Sequence, residues 1–155
     1  GVGILMRNSP RFLDVFFGAQ KIGMYAVPIN PELKGDGLAY IVNHSDIGLL
    51  VVDAELLDTI SAVAGKFERL KTIIVNDIEA EAQGTAVPDG MGRLSQAYAD
   101  FSSRHPAIGH RPEDICMIMY TSGTTGDPKG VMLTIRNILA NTDGVSRDVP
   151  IYTPD

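Results

Sequence analysis

The sequence holds one cysteine, Cys116, so it offers no intrachain disulfide and no cysteine-based metal cluster. A reducing, cytoplasmic setting is the expectation. No apolar run approaches the roughly 18 residues of a membrane span, and the N-terminus lacks the basic segment and hydrophobic stretch of a signal peptide. No transmembrane segment is expected, and peripheral association with a membrane is compatible with the sequence. Basic excess is missing too. The 13 Lys and Arg face 19 Asp and Glu, a net charge of -6, and the imbalance holds along the chain: 6 against 8 over 1–70, 3 against 5 over 71–110, 4 against 6 over 111–155. No segment supplies the basic stripe that nucleic-acid binding requires. Any phosphate site here is local and serves a small molecule.

What is present suits one globular domain. The 155 residues are 45% hydrophobic and 21% charged, and the nine prolines and sixteen glycines are dispersed. A domain of this size buries about 70% of its unfolded surface, enough for a core. No internal repeat or low-complexity tract is visible. The chain begins GVGILM, already inside what reads as a strand, and is expected to be a piece of a longer protein.

Strand and helix patterns alternate at short intervals. Val2 to Met6 reads as a buried strand, and Ser9-Pro10 as an N-cap with proline at the first helical position. Phe12, Val15, Phe16, Ala19 and Ile22 then share a core-facing stripe, with Gly23 ending the helix. Phe12, Phe16 and Phe17 are all assigned to core packing. Tyr25 to Ile29 reads as a second strand, Gly37 to His44 as a short helix, and Gly48 to Val52 as a third strand. Asp53 is expected to cap an amphipathic helix carrying Leu56, Leu57, Ile60, Val63, Ala64 and Phe67. Thr72 to Val75 is β-branched and strand-like. The acidic, aperiodic stretch 76–92 reads as a surface excursion, followed by a helix with Leu94, Ala97, Tyr98 and Phe101. Ile115 to Tyr120 shows no alternation and is read as a central strand covered on both faces. Val131 to Leu133 reads as a return strand, and Thr134 as the cap of a helix bearing Ile135, Ile138, Leu139 and Val145. The fold class expected is α/β, a largely parallel sheet flanked by helices.

Between these last two strands lies the chemistry. Residues 120–130, YTSGTTGDPKG, bring Thr121, Ser122, Thr124 and Thr125 as hydroxyl donors. Gly123 and Gly126 let successive backbone N–H groups turn toward one anion, and Lys129 adds a mobile positive charge. The combination is suited to holding phosphate. It is not a Walker A loop, because Asp127-Pro128 separates Gly126 from Lys129, Gly130 stands where Ser or Thr belongs, and a strand follows instead of a helix. A dinucleotide-binding fingerprint is also missing, since Gly1 and Gly3 precede a strand; Asp53 therefore reads as a helix cap and not as a ribose ligand. Cys116 reads as core, Asp127 as a solvated turn residue, and His44, His105 and His110 as surface histidines.

TSGTTGDPKGV, with the Arg136-Asn137 pair beyond it, resembles the signature loop of the adenylate-forming (AMP-binding) superfamily, which includes acyl-CoA synthetases, aryl-CoA ligases, luciferases and peptide-synthetase adenylation domains. The segment from Asn8 to Asp53 is similar in order and spacing to the N-terminal region of acyl-CoA ligases. A histidine usually precedes the Arg-Asn pair; Ile135 stands there instead, which puts a helix-start contact in doubt. The resemblance implies an N-terminal fragment of an ATP-dependent acyl-CoA ligase, with residues 1–155 a partial AMP-binding domain. Such enzymes use MgATP to convert a carboxylic acid, here a fatty acid by expectation, into an acyl-adenylate and pyrophosphate. They then form the coenzyme A thioester. Thr121, Ser122, Gly123, Thr124, Thr125, Gly126 and Lys129 would bind the ATP β- and γ-phosphates. The adenine motif, the ribose aspartate, the hinge and the C-terminal domain with the catalytic lysine do not occur in the sequence, so no catalytic residue and no metal ligand is assigned. The fragment is expected to be inactive alone, and its exposed sheet surfaces could pair copies. The alternatives are a non-catalytic nucleotide- or pyrophosphate-binding module and another kind of adenylating enzyme.

Overall fold

A computed structural model describes residues 1–78, 86–100, 108–121 and 127–148. Seven strands form one sheet: β1 (Val2–Leu5), β2 (Ala26–Pro28), β3 (Leu49–Asp53), β4 (Thr72–Asn76), β5 (Gly92–Arg93), β6 (Ile115–Thr121) and β7 (Lys129–Thr134). Their order is β5-β4-β3-β1-β2-β6-β7. All pairings are parallel except β6 with β7, a hairpin. The expected α/β class is observed. Among the described residues four helices lie between strands, α1 (Pro10–Lys21), α2 (Gly35–His44), α3 (Leu57–Ser61) and α4 (Leu94–Asp100), and α5 (Ile135–Asp148) follows β7.

Period-two patterning places the core. Val2, Ile4 and Met6 project to one side of β1, where Ala19, Phe12, Val15 and Phe16 of α1 meet them. Leu5 projects to the other, into a larger cluster with Leu38 and Val42 of α2, Leu50 and Val52 of β3, and Leu57 and Ile60 of α3. Helix α1 starts as read. Ser9 Oγ accepts from the Phe12 N–H at 3.2 Å, Pro10 opens the helix, and Gly23 follows its end at φ 74°. Burial of about 25 cal/mol per Å2 of apolar surface is the main force holding these layers.

Several readings change, and Ile22, placed in the core stripe of α1, lies just past its end and is 49% exposed. Asp53 makes no capping bond, and the helix expected after it is split into a 3-10 turn at Ala54–Leu56, α3, and a second 3-10 turn at Ala64–Lys66. Its inner stripe still forms, with Leu56, Leu57, Ile60 and Val63 buried, but Ala64 is exposed. Phe17 is also outside the core, 53% exposed. Asn76 ends β4 instead of opening a loop, and it is almost fully buried. Strand β6 lies second from one edge and is not covered on both faces: Ile115 and Met119 are exposed, as are Val131 and Met132 on β7. The apolar stripe of α5 is uncovered as well, with Leu139 at 60%.

Thr134 does cap α5. Its Oγ1 accepts from the Asn137 N–H at 3.2 Å, and Asn137 Oδ1 accepts from the Thr134 N–H at 3.0 Å, the reciprocal arrangement of a capping box. The helix start that Ile135 put in doubt is held through the backbone, where the Ile135 N–H donates to Asp114 O at 3.0 Å and the Arg136 N–H to Pro112 O at 2.9 Å.

Candidate functional site

Open α/β sheets commonly take ligands beyond the carboxyl ends of their strands, at the point where strand order reverses. Here that point lies between β1 and β3. Side chains of the protein itself meet there. The Arg7 N–H donates to Asp53 Oδ2 at 2.7 Å, Asn76 Nδ2 donates to Asp53 Oδ1 at 2.8 Å, and the Arg7 guanidinium pairs with Glu32 and Glu55. Asp53 is thus neither cap nor ribose ligand but a tie between three strand ends. Asp53→Ala is expected to lower unfolding free energy by about 1–3 kcal/mol, because the buried Asn76 amide loses its acceptor. Urea denaturation measures this, and an unchanged midpoint would refute it.

The β6–β7 hairpin is the remaining candidate. Its strands are in register Met119 with Val131, Tyr120 with Gly130, and Thr121 with Lys129, so the two outermost residues of the ladder are a hydroxyl and an ammonium. Both are exposed. Ser122, Gly123, Thr124, Thr125 and Gly126 lie outside the described residues, as does His105. Asp127 is exposed, in keeping with a solvated turn. Among the described residues Lys129 has no ion-pair partner. Because β6 runs parallel to β2, the loop leaves it in the direction in which β1 to β4 also end.

The base of the hairpin is fixed by contacts that sequence reading missed. Tyr120 lays its ring across Gly130, where a Cβ would sit 3.2 Å from Tyr120 Cζ. Its hydroxyl lies 2.7 Å from Nδ1 of His44, which is exposed as read but also meets this ring. Burial pushes the Tyr120 phenol up. The only advance signal was a histidine in the last turn of α2, a favoured place for a basic group. Cys116 is buried as expected; its Sγ lies 3.4 Å from Leu133 O, and burial pushes its thiol up. His110 lines a separate groove of about 760 Å3 with Leu13, Phe17, Tyr98 and Ile135, none of them in the hairpin. Among the described residues no group of three or more His, Cys, Asp or Glu could hold a metal ion, and no helix is long and apolar enough to cross a membrane.

The family model for AMP-binding enzymes matches residues 1–154. The chain belongs to the AMP-binding enzyme family. It is 31% identical over 99% of its length to the peroxisomal long chain acyl-CoA synthetase 7 of Arabidopsis thaliana, of which it covers 23%. It is 34% identical over 90% of its length to 4-hydroxybutyrate–CoA ligase 2 of Metallosphaera sedula, covering 26% of that protein. Its fold matches the inhibitor-bound N-terminal domain of FACL13 from Mycobacterium tuberculosis with a TM-score of 0.82 at 27% identity, over 99% of this chain and 36% of the other. This chain therefore spans about a quarter of the length of the curated relatives it matches.

Proposed function

We propose that the hairpin between Thr121 and Lys129 is the phosphate loop of an ATP-dependent acid–thiol ligase, and that this chain supplies the pyrophosphate side of its nucleotide site. The observation that carries the reading is the pairing of Thr121 with Lys129 at the open end of a hairpin, in a member of the AMP-binding family. A hydroxyl and an ammonium there suit a polyphosphate. In this reading Ser122, Gly123, Thr124, Thr125 and Gly126 complete the cradle.

The reaction assigned to the whole protein has two steps. A substrate carboxylate attacks the ATP α-phosphorus, giving acyl-adenylate and pyrophosphate, and the thiol of coenzyme A then displaces AMP. The loop acts in the first step, where negative charge grows on the departing pyrophosphate and fixed donors lower the barrier. Mg2+ would come with the nucleotide; the described residues present no cluster to hold it, and no step is assigned to it. A fatty acid is the carboxylate class we assign, on the long-chain acyl-CoA synthetase relatives. The 4-hydroxybutyrate–CoA ligase relative makes a short hydroxy acid the competing outcome.

A pyrophosphate-release screen of the whole protein, run with carboxylic acids of increasing chain length, tests this. Release that depends on a long-chain acid and on coenzyme A supports the assignment. Calorimetric binding of ATP or pyrophosphate without release under any acid would leave a non-catalytic binding module in its place.

A further inference from the structure

Tyr120 is the residue before the first hydroxyl of the loop, and its side chain is held from two directions. On the strand side it rests over Gly130; a Cβ there would lie 3.0 Å from Ile118 Cγ2, 3.2 Å from Tyr120 Cζ and 3.4 Å from its hydroxyl. Any larger residue at 130 would compete with the ring for that space. On the helix side, the hydroxyl meets His44 Nδ1 at 2.7 Å, and the two rings stand edge to face with centroids 5.8 Å apart.

His44 is itself braced. Its ring stacks on Tyr40 one turn earlier in α2, with centroids 5.1 Å apart and planes 20° from parallel. The residues just beyond it are pinned, since the Tyr25 hydroxyl donates to Ser45 O at 2.9 Å and lies 3.2 Å from Asp46 O, while the buried Ser45 Oγ donates back to Ile41 O. The end of α2 is therefore a fixed post. Nothing in the packing of α2 itself requires a histidine to reach a strand 76 residues away.

Successive strand residues point to opposite faces, so holding Tyr120 toward α2 sets the direction in which Thr121 and its partner Lys129 project. We propose that His44 is a positioning residue for the phosphate loop, acting through Tyr120 to hold Thr121 and Lys129 in the geometry that receives the nucleotide phosphates. The assignment rests on the reading of the hairpin as a phosphate loop. His44 touches no substrate in it.

The test is carboxylate-dependent ATP–pyrophosphate exchange by the whole enzyme that contains this chain. His44→Ala and Tyr120→Phe are each expected to raise KM for MgATP by about three- to tenfold, the range one hydrogen bond supports, with a smaller change in kcat. The double variant is expected to be no worse than either single one, because both cut the same link. His44→Asn, whose amide sits near the place of Nδ1, is expected to restore most of the loss. Tyr120→Phe keeps the ring over Gly130, so it separates the hydrogen bond from folding. Losses that add in the double variant, or an unchanged KM in Tyr120→Phe, would overturn the role of His44 while leaving the loop reading intact. Wild-type enzyme without exchange would overturn both.

Discussion

Lys129→Ala in the whole enzyme is expected to slow ATP–pyrophosphate exchange by about a hundredfold, the loss typical of removing one charge-stabilising donor. Lys129 opens β7 opposite Thr121, is exposed, and has no ion-pair partner among the described residues, so its charge is available to a ligand. An ammonium on a flexible stem can follow charge as it moves onto pyrophosphate, where a backbone nest cannot. The kinetic form of the loss distinguishes two roles. If Lys129 bound ATP equally well before and during the reaction, KM would rise and kcat would stay. If it stabilises the leaving group, kcat itself falls, and this is the result expected. Lys129→Arg keeps the charge with a wider head and should recover part of the rate. An exchange rate unchanged in Lys129→Ala would remove the loop from the chemistry.

Local rules read much of this chain correctly because the physics they encode is local. Ser9 and Pro10 start α1 and Thr134 starts α5, both without reference to distant residues. The loop motif was legible for the same reason, since its hydroxyls, glycines and lysine are adjacent in sequence. The failures share a cause as well. Asp53 sits where a cap would sit, but its partners Arg7 and Asn76 are 46 and 23 residues away, and two strand ends outcompete one helix turn for its carboxylate. The coverage of β6 depends on what packs over the sheet, which its own residues do not encode, and Ile115 and Met119 stay exposed. His44 has no metal spacing to mark it; its partner exists only once β6 has been placed beside β2.

Leu50→Ala is expected to cost about 2–5 kcal/mol of stability, lowering the melting temperature by roughly 4–20 °C for a chain of this length. Leu50 is fully buried in β3, where it is in register with Gly3 of β1. A Cβ on Gly3 would stand 2.9 Å from Leu50 Cδ1 and 2.4 Å from Ile47 Cδ1, so these two side chains already occupy the space that a larger residue at position 3 would need. Gly3→Ala alone therefore overpacks the site, at a cost of about 1–3 kcal/mol. Truncating Leu50 reverses the situation by opening a hole next to the same point. The added methyl of Gly3→Ala then meets the cavity instead of the Leu50 side chain, although Ile47 still limits the fit. The double variant should lose less than the sum of the single losses, with a coupling of about 0.5–3 kcal/mol measured by urea unfolding of all four proteins. Strict additivity would mean that the core collapses into the Leu50 cavity from elsewhere, and that the glycine at position 3 is not set by its neighbour on β3.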